Sequence, residues 1–281
     1  MKKIILMAGL LAFFTTTKSN AQIKLGDKAI GAVGKGVKGF TFSDAEAAAI
    51  SKEAVDQMDK DNPVAAANDP YAVRLNRVFG KHKNENGLKL NYKVYKVQDV
   101  NAFATADGSV RVFQGLMDIM DDNELLAVIG HEIGHVANHD SRDAVKAAYK
   151  KEALLDAAAS QSDKVATMSE SQLGKIGNAM LDSKHSRKQE SEADEFSYDF
   201  MKRNGYDVNA VESSFNILAK MSEGASASFL QKMMSSHPDS KDRAEKAKKR
   251  AEKDGLYKAY VQKKIVNTPV KAAKKTAKKK K

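Results

Sequence analysis

The stretch at residues 125–139, LLAVIGHEIGHVANH, constrains this chain most, because it holds His131, Glu132 and His135 in the order His-Glu-x-x-His. On an α-helix, residues i and i+4 lie about 40° apart around the axis, so two imidazoles at that spacing can reach one metal ion. Glu132 follows the first histidine directly, near enough to take a proton from a water activated by that ion. A helix is the expected conformation here. Asp121 or Asp122 can cap it, and Leu125, Leu126, Val128, Ile129 and Ile133 give it a broad apolar surface. The pattern is a zinc-hydrolase arrangement and calls for one zinc ion (Zn2+) per chain.

Zinc in a hydrolase usually takes three protein ligands and leaves one position for water. A histidine six residues after the second would complete a metzincin site, but that position is Ser141. His139 lies a turn past His135, too far along the axis to share the ion easily, and is read as a residue behind the ligands or on the surface. The better third ligand lies downstream in Glu190-Ser-Glu-Ala-Asp194. Glu190, Ala193, Asp194, Ser197 and Met201 share one helix face, whereas Glu192 falls with Glu195, Asp199 and Arg203 on the polar face. This spacing points Glu190 inward and Glu192 outward. Asp194, one turn from Glu190, is placed to accept a hydrogen bond from the free ring nitrogen of a ligating histidine.

Charge is unevenly distributed. The formal net charge is +11, but residues 241–281 carry seventeen Lys/Arg against four Asp/Glu. Lys2, Lys3 and Lys18 add three more positive charges, which leaves residues 22–240 at about −5. Basicity is therefore a property of the C-terminal end, and the body is not marked as a specific nucleic-acid binder. At the other end, Lys2 and Lys3, the apolar run at 4–14 and Ser19-Asn20-Ala21 read as a signal peptide cleaved near Ala21. Export to the periplasm or beyond is the expectation. There is no cysteine, hence no disulfide and no lipid-modified cysteine at a mature N-terminus.

Four regions follow: a signal peptide at 1–21, a glycine-rich leader at 22–42, one domain at 43–254 and a Lys-rich low-complexity tail at 255–281. Within the domain, Ser43 and Glu46 form a capping box for a helix running to about Lys60, and Asp69-Pro70 starts a second. Leu88, Leu90, Tyr92 and Val94 alternate as a strand should, residues 101–105 make a second strand, and Val110, Val112 and Phe113 a third after the Asp107-Gly108 turn. Helices follow the metal helix to about Ser160, over 188–203, from Asp207 to about Met221, and from Asp239 or Ser240 to about Lys253. Residues 161–186 are polar and weakly patterned, either a mobile lid or a helical insertion. Met233 and Met234 are read as core packing. The fold class is α+β, mostly α-helical, with a small antiparallel sheet.

These motifs fall in a recognisable order. Asn101-Ala102-Phe103-Ala104, the hairpin ending at Leu116, the His-Glu-x-x-His helix, His139, Arg142, Ser186-Arg187, the motif at 190–194 and His237-Pro238 with Arg243 together resemble peptidase family M48. These are gluzincins that include CAAX prenyl proteases and HtpX-like heat-shock proteases. The likeness covers about residues 43–250 and is closest to the family's soluble, exported branch. It implies a zincin-like metallopeptidase domain with His131, His135 and Glu190 as ligands and Glu132 as general base. It also implies that residues 101–104 lie along the cleft, where an extended substrate can add as a strand. His237 matches the family's His-Pro histidine near the metal, as an oxyanion donor or as a cap on the ion, and Arg243 is placed to pair with a site carboxylate.

The expected function is a zinc endopeptidase of the cell envelope acting on unfolded or extended proteins, with quality control as its setting. The expected partners also include an anionic membrane surface, contacted through the Lys-rich tail. Two other readings are a zinc amidohydrolase that is not a peptidase, and a chaperone-like binding module with a latent zinc site.

Overall fold

A computed structural model describes residues 43–85, 87–159, 168–224, 233 and 235–267. The expected signal peptide and leader, Met234 and the last fourteen residues lie outside the described residues. The first helix, α1 (Asp44–Asp61), starts at the capping box, where Ser43 accepts from the Glu46 amide and the Glu46 side chain accepts in return. α2 (Pro70–Phe79) follows its Asp69 cap with proline in the first turn.

The alternating stretch at 88–94 divides. β1 (Asn84–Glu85) and β2 (Leu88–Lys89) form a small hairpin, and the chain then leaves it for β3 (Asn91–Tyr95). β4 (Ala102–Ala104) and β5 (Ser109–Phe113) complete a three-stranded sheet in the order β3-β5-β4. The fold class is as expected, but this sheet is mixed rather than antiparallel throughout: β3 and β5 run parallel, β4 and β5 antiparallel. The cause is the link at 96–101, which carries the chain two strand positions from β3 and leaves one slot open. β5 folds back from β4 into the slot between them through the Asp107-Gly108 turn. Gly108 has φ +84°, and a Cβ there would meet the Lys89 carbonyl oxygen at 2.1 Å, so the turn needs glycine.

α3 (Gln114–Ile119) leads to the central helix, α4 (Asp122–Ala137). α4 is buried from Glu124 to Val136, so the protein encloses it on every side. Leu125, Ile129 and Ile133 are fully buried, each worth about 1.5–3 kcal/mol against exposure. α5 (Asp140–Ala159) follows after a sharp corner. The weakly patterned region contains a further helix, α6 (Glu170–Leu181), started by a capping box of Ser169 and Gln172. Of the two readings of 161–186, residues 170–181 are thus helical, and 161–167 lie outside the described residues. α7 (Arg187–Arg203), α8 (Asn209–Gly224) and α9 (Ser240–Lys253) complete the set, and Met233 is buried in the main core beside them.

The C-terminal boundary differs from its expectation. Residues 256–267 do not leave the body at Gly255 but lie along it. The Tyr260 hydroxyl donates to Asp121, the Lys263 amide donates to Asp121 Oδ2 at 2.7 Å, and Gln262 donates to Glu124 and to the Ile119 carbonyl. Lysine-rich composition hid this, because the docking is made mainly by Tyr260, Gln262 and main chain, with one lysine side chain, Lys258, pairing with Asp207. No helix among the described residues is long and apolar enough to cross a membrane.

Candidate metal centre

The site is built where α4 and α7 touch. Gly130 and Gly134 lie on the α4 face that meets α7. A Cβ added at Gly134 would stand 3.0 Å from the Ala193 backbone, and one at Gly130 would stand 3.1 Å from the Phe200 ring. Two glycines facing Ala193 and Ser197 let the helix backbones approach closely, and Ser197 Oγ donates to the Ala127 carbonyl at 2.6 Å. This contact carries Glu190, at the start of α7, to the histidines of α4. Asp121 caps α4, and Asp122 instead pairs with Arg74 and Arg77.

His131 and His135 each turn Nδ1 toward a carboxylate. His131 Nδ1 is 2.9 Å from Asp194 Oδ1, and His135 Nδ1 is 2.8 Å from Asp140 Oδ2. Each Nδ1 therefore carries the proton, and each Nε2 presents its lone pair inward. The two Nε2 atoms stand 3.0 Å apart. Glu190 closes the third side, with Oε1 3.4 Å from His135 Nε2 and Oε2 3.6 Å from His131 Nε2. Two lone pairs and a buried carboxylate aimed at one point repel each other unless a cation lies between them. At His135 and Glu190 the titration behaviour says the same. Burial lowers the His135 imidazole, but hydrogen bonds to Asp140 and Glu190 prevail and push it up to about 9. Burial and the Arg243 charge pull His131 down to about 3. Burial works to raise Glu190, yet hydrogen bonds from His135 and His237 hold it well below the usual carboxylate range. Around His135 and Glu190 the nest thus favours positive charge, and its donor set of two imidazoles and a carboxylate suits a divalent metal ion.

Glu132 is 4 % exposed, and its Oε1 has no hydrogen-bond partner. Burial pushes its carboxyl up, against the charges of His237 and His135. His237 comes from the turn before α9. Its Nδ1 is 3.0 Å from Glu190 Oε1 and 3.2 Å from His131 Nε2, and its Nε2 is 3.7 Å from Glu132 Oε1. His131, His135, Glu190 and His237 thus offer four atoms within 4.8 Å of one another. Arg243 makes a two-point contact with Asp194, Nε to Oδ2 at 2.9 Å and Nη2 to Oδ1 at 2.6 Å. Its Nη1 is 2.6 Å from Glu190 Oε2 without the alignment of a hydrogen bond. Glu192 points away, exposed and 3.5 Å from Lys188.

Two residues that sequence reasoning passed over belong to the site, and one that it named does not reach it. His139 is exposed, because its left-handed backbone (φ +66°) at the corner between α4 and α5 turns the side chain outward. The carboxylate that supports His135 is its neighbour Asp140, which also accepts from Gln189 at 2.8 Å. His185, just before α7, lies flat on the His135 ring, with centroids 3.8 Å apart and 16° between planes. Its sequence signal was only a histidine next to the Ser186 cap. Asn101, Ala102, Phe103 and Ala104 line the cleft beside Glu132 and His135, and β4 is an edge strand. This cleft has a volume of about 30 Å³, enough to admit a water beside Glu132 and His135.

Comparison with known proteins agrees with this geometry. Metalloprotease LoiP of Escherichia coli K12 is 42% identical over 218 residues, which covers 77% of this chain and 85% of that protein. Metalloprotease YcaL of the same organism is 43% identical over 209 residues, 74% of this chain and 81% of that one. Protease HtpX of Xanthomonas euvesicatoria is 51% identical over a shorter stretch of 65 residues, about a fifth of each chain. Residues 73–251, from the second helix to the end of α9, match peptidase family M48. The chain therefore belongs to peptidase family M48 and is a metalloendopeptidase.

Proposed function

We propose that the metal is zinc, that His131, His135 and Glu190 hold it, that Glu132 is the general base, and that the enzyme works on extended polypeptides after export. The observation that carries the ligand set is the pair of Nε2 atoms 3.0 Å apart, each fixed from behind by a carboxylate. When bound, zinc supplies Lewis acidity to a water and to the scissile carbonyl. Glu132 takes the proton of the attacking water and returns it to the leaving nitrogen. Its raised carboxyl makes it a better base than a solvated glutamate. Arg243 and Asp194 hold His131 in one tautomer, and Asp140 does the same for His135.

The position of His237 Nδ1 among the ligand atoms favours a cap on the ion in this closed arrangement over an oxyanion donor. An open form then admits substrate along β4. Asn101 pairs with β5 through its carbonyl and the Phe113 amide, so by antiparallel alternation the main-chain groups of Ala102 and Ala104 face the open edge. The Ala102 amide donates to Asn101 Oδ1, and the Ala104 carbonyl accepts from Ser141 Oγ. These two side-chain bonds are exchangeable for substrate main chain, which gives affinity with little sequence selectivity. Such selectivity suits removal of unfolded envelope proteins, and the family supports that setting by analogy.

Glu132→Gln should keep zinc and fold but lose at least about a hundredfold in turnover on casein. Glu190→Ala should lower zinc content and Glu192→Ala should leave it unchanged. Wild-type turnover in the first variant, or equal zinc in the other two, would overturn the assignment.

A further inference from the structure

We infer that residues 256–266 form a docking face for an anionic lipid bilayer. The inference rests on the export reading, which brings the chain to such a surface. Among the described residues, the large hydrophobic side chains left exposed are Leu256, Tyr257, Val261 and Val266, at 42%, 38%, 79% and 47%. Scattered exposed hydrophobics need no explanation, but these four fall within one short segment.

The segment is held in place, so these side chains are presented rather than left over. Tyr260 and Gln262 reach inward to Asp121 and Glu124. In an extended chain, neighbouring side chains alternate, and Val261 between them faces out. The segment is also basic. After Gly255 the chain has ten lysines and no acidic residue. Lys258 pairs with Asp207, whereas no described carboxylate pairs with Lys263 or Lys264. An apolar and basic segment on a body of net negative charge is polarised. An anionic surface attracts this face and repels the rest. Nucleic acid would be met by the lysines alone and leaves Val261 without a partner. A bilayer interface takes both kinds of side chain.

The test uses the chain from Gln22, since all described contacts lie within 43–267. Phosphatidylglycerol vesicles are compared with phosphatidylcholine vesicles at about 0.1 M and about 1 M salt, where charge is screened beyond about 10 Å and 3 Å. Wild type should bind the anionic vesicles and keep part of that binding at high salt. The double variant Val261→Ser, Val266→Ser should bind at least about tenfold more weakly at both salt concentrations. Removal of residues 268–281 should reduce binding mainly at low salt. Both variants should cleave a soluble peptide at the wild-type rate, which shows that their fold is intact. Failure of wild type to bind, or wild-type binding by the double variant, would overturn the docking face. So would a monomer–dimer equilibrium in ultracentrifugation that the double variant abolishes, because a second copy would then cover the face. Cell fractionation tests the other reading separately: a chain that binds vesicles but stays in the cytoplasm refutes export and leaves the docking face standing.

Discussion

The ring of His185 stacks on the ring of His135 with centroids 3.8 Å apart. His135 is thereby held on two sides, by the Asp140 carboxylate at its Nδ1 and by an aromatic face. A stacked pair is worth about 0.5–1.5 kcal/mol beyond its buried area. His185→Ala should therefore weaken metal affinity by up to roughly tenfold in a chelator competition, and His185→Phe, which keeps the stack, should restore it. Equal affinities in all three proteins would reduce His185 to a lining residue.

Gly134→Val should be among the most damaging single changes outside the ligands. Its side chain would enter the contact between α4 and α7, where even a Cβ meets the Ala193 backbone at 3.0 Å. Overpacking of this kind costs about 1–3 kcal/mol. Calorimetry should show a lower Tm, and metal analysis a lower metal content, because the same contact carries Glu190 to the histidines. An unchanged Tm would mean that α7 can shift without cost.

The legibility of the site in the sequence follows from which contacts are local. The i, i+4 pair of histidines and the inward face of Glu190 are properties of single helices, and the structure brings those residues together. Asp140 and His185 were not legible, because each reaches His135 across a chain corner that no periodicity encodes. Strand order was hidden for the same reason: alternation marks a strand and says nothing of the slot between β3 and β4 that β5 fills. The helix α6 had a readable start in Ser169 and Gln172, but its short apolar face gave a weak period. His139 was misplaced because its positive φ belongs to the corner and not to the helix.

His237→Ala should raise the basal cleavage of a short quenched peptide at equal metal occupancy, since it removes the imidazole that lies among the candidate ligand atoms. An oxyanion donor would behave in the opposite way, with turnover falling by about 10²–10³. Steady-state kinetics of the two proteins separate the roles by sign.

Away from the site, Asp59 joins α1 to the sheet through Arg111, Lys93 and Tyr95. Burial raises its carboxyl, but the hydrogen bonds from Arg111 and Lys93 outweigh this and hold it below its ordinary value of 3.8. A depressed carboxylate stabilises the fold above its unfolded value and loses that contribution as pH falls through the lower folded value. Asp59→Asn should therefore lower Tm at neutral pH, with a cost of roughly 3 kcal/mol because Arg111 is 2 % exposed and loses its charge partner. The difference from wild type should shrink as pH drops below 3.8. A difference that stays constant down to acid unfolding would show that shape, and not charge, ties α1 to the sheet.

Asp121 and Glu124 cap the metal helix and also receive Tyr260, Gln262 and Lys263. A ribosome makes the chain from its N-terminus. Arg243 follows His131 by 112 residues, and Tyr260 follows Asp121 by 139. A nascent chain thus displays the His-Glu-x-x-His helix well before the groups that fix it exist. The site becomes complete only when the chain has been released and folded past Arg243 and Tyr260, so the segments before them are no longer extended substrates when it first assembles.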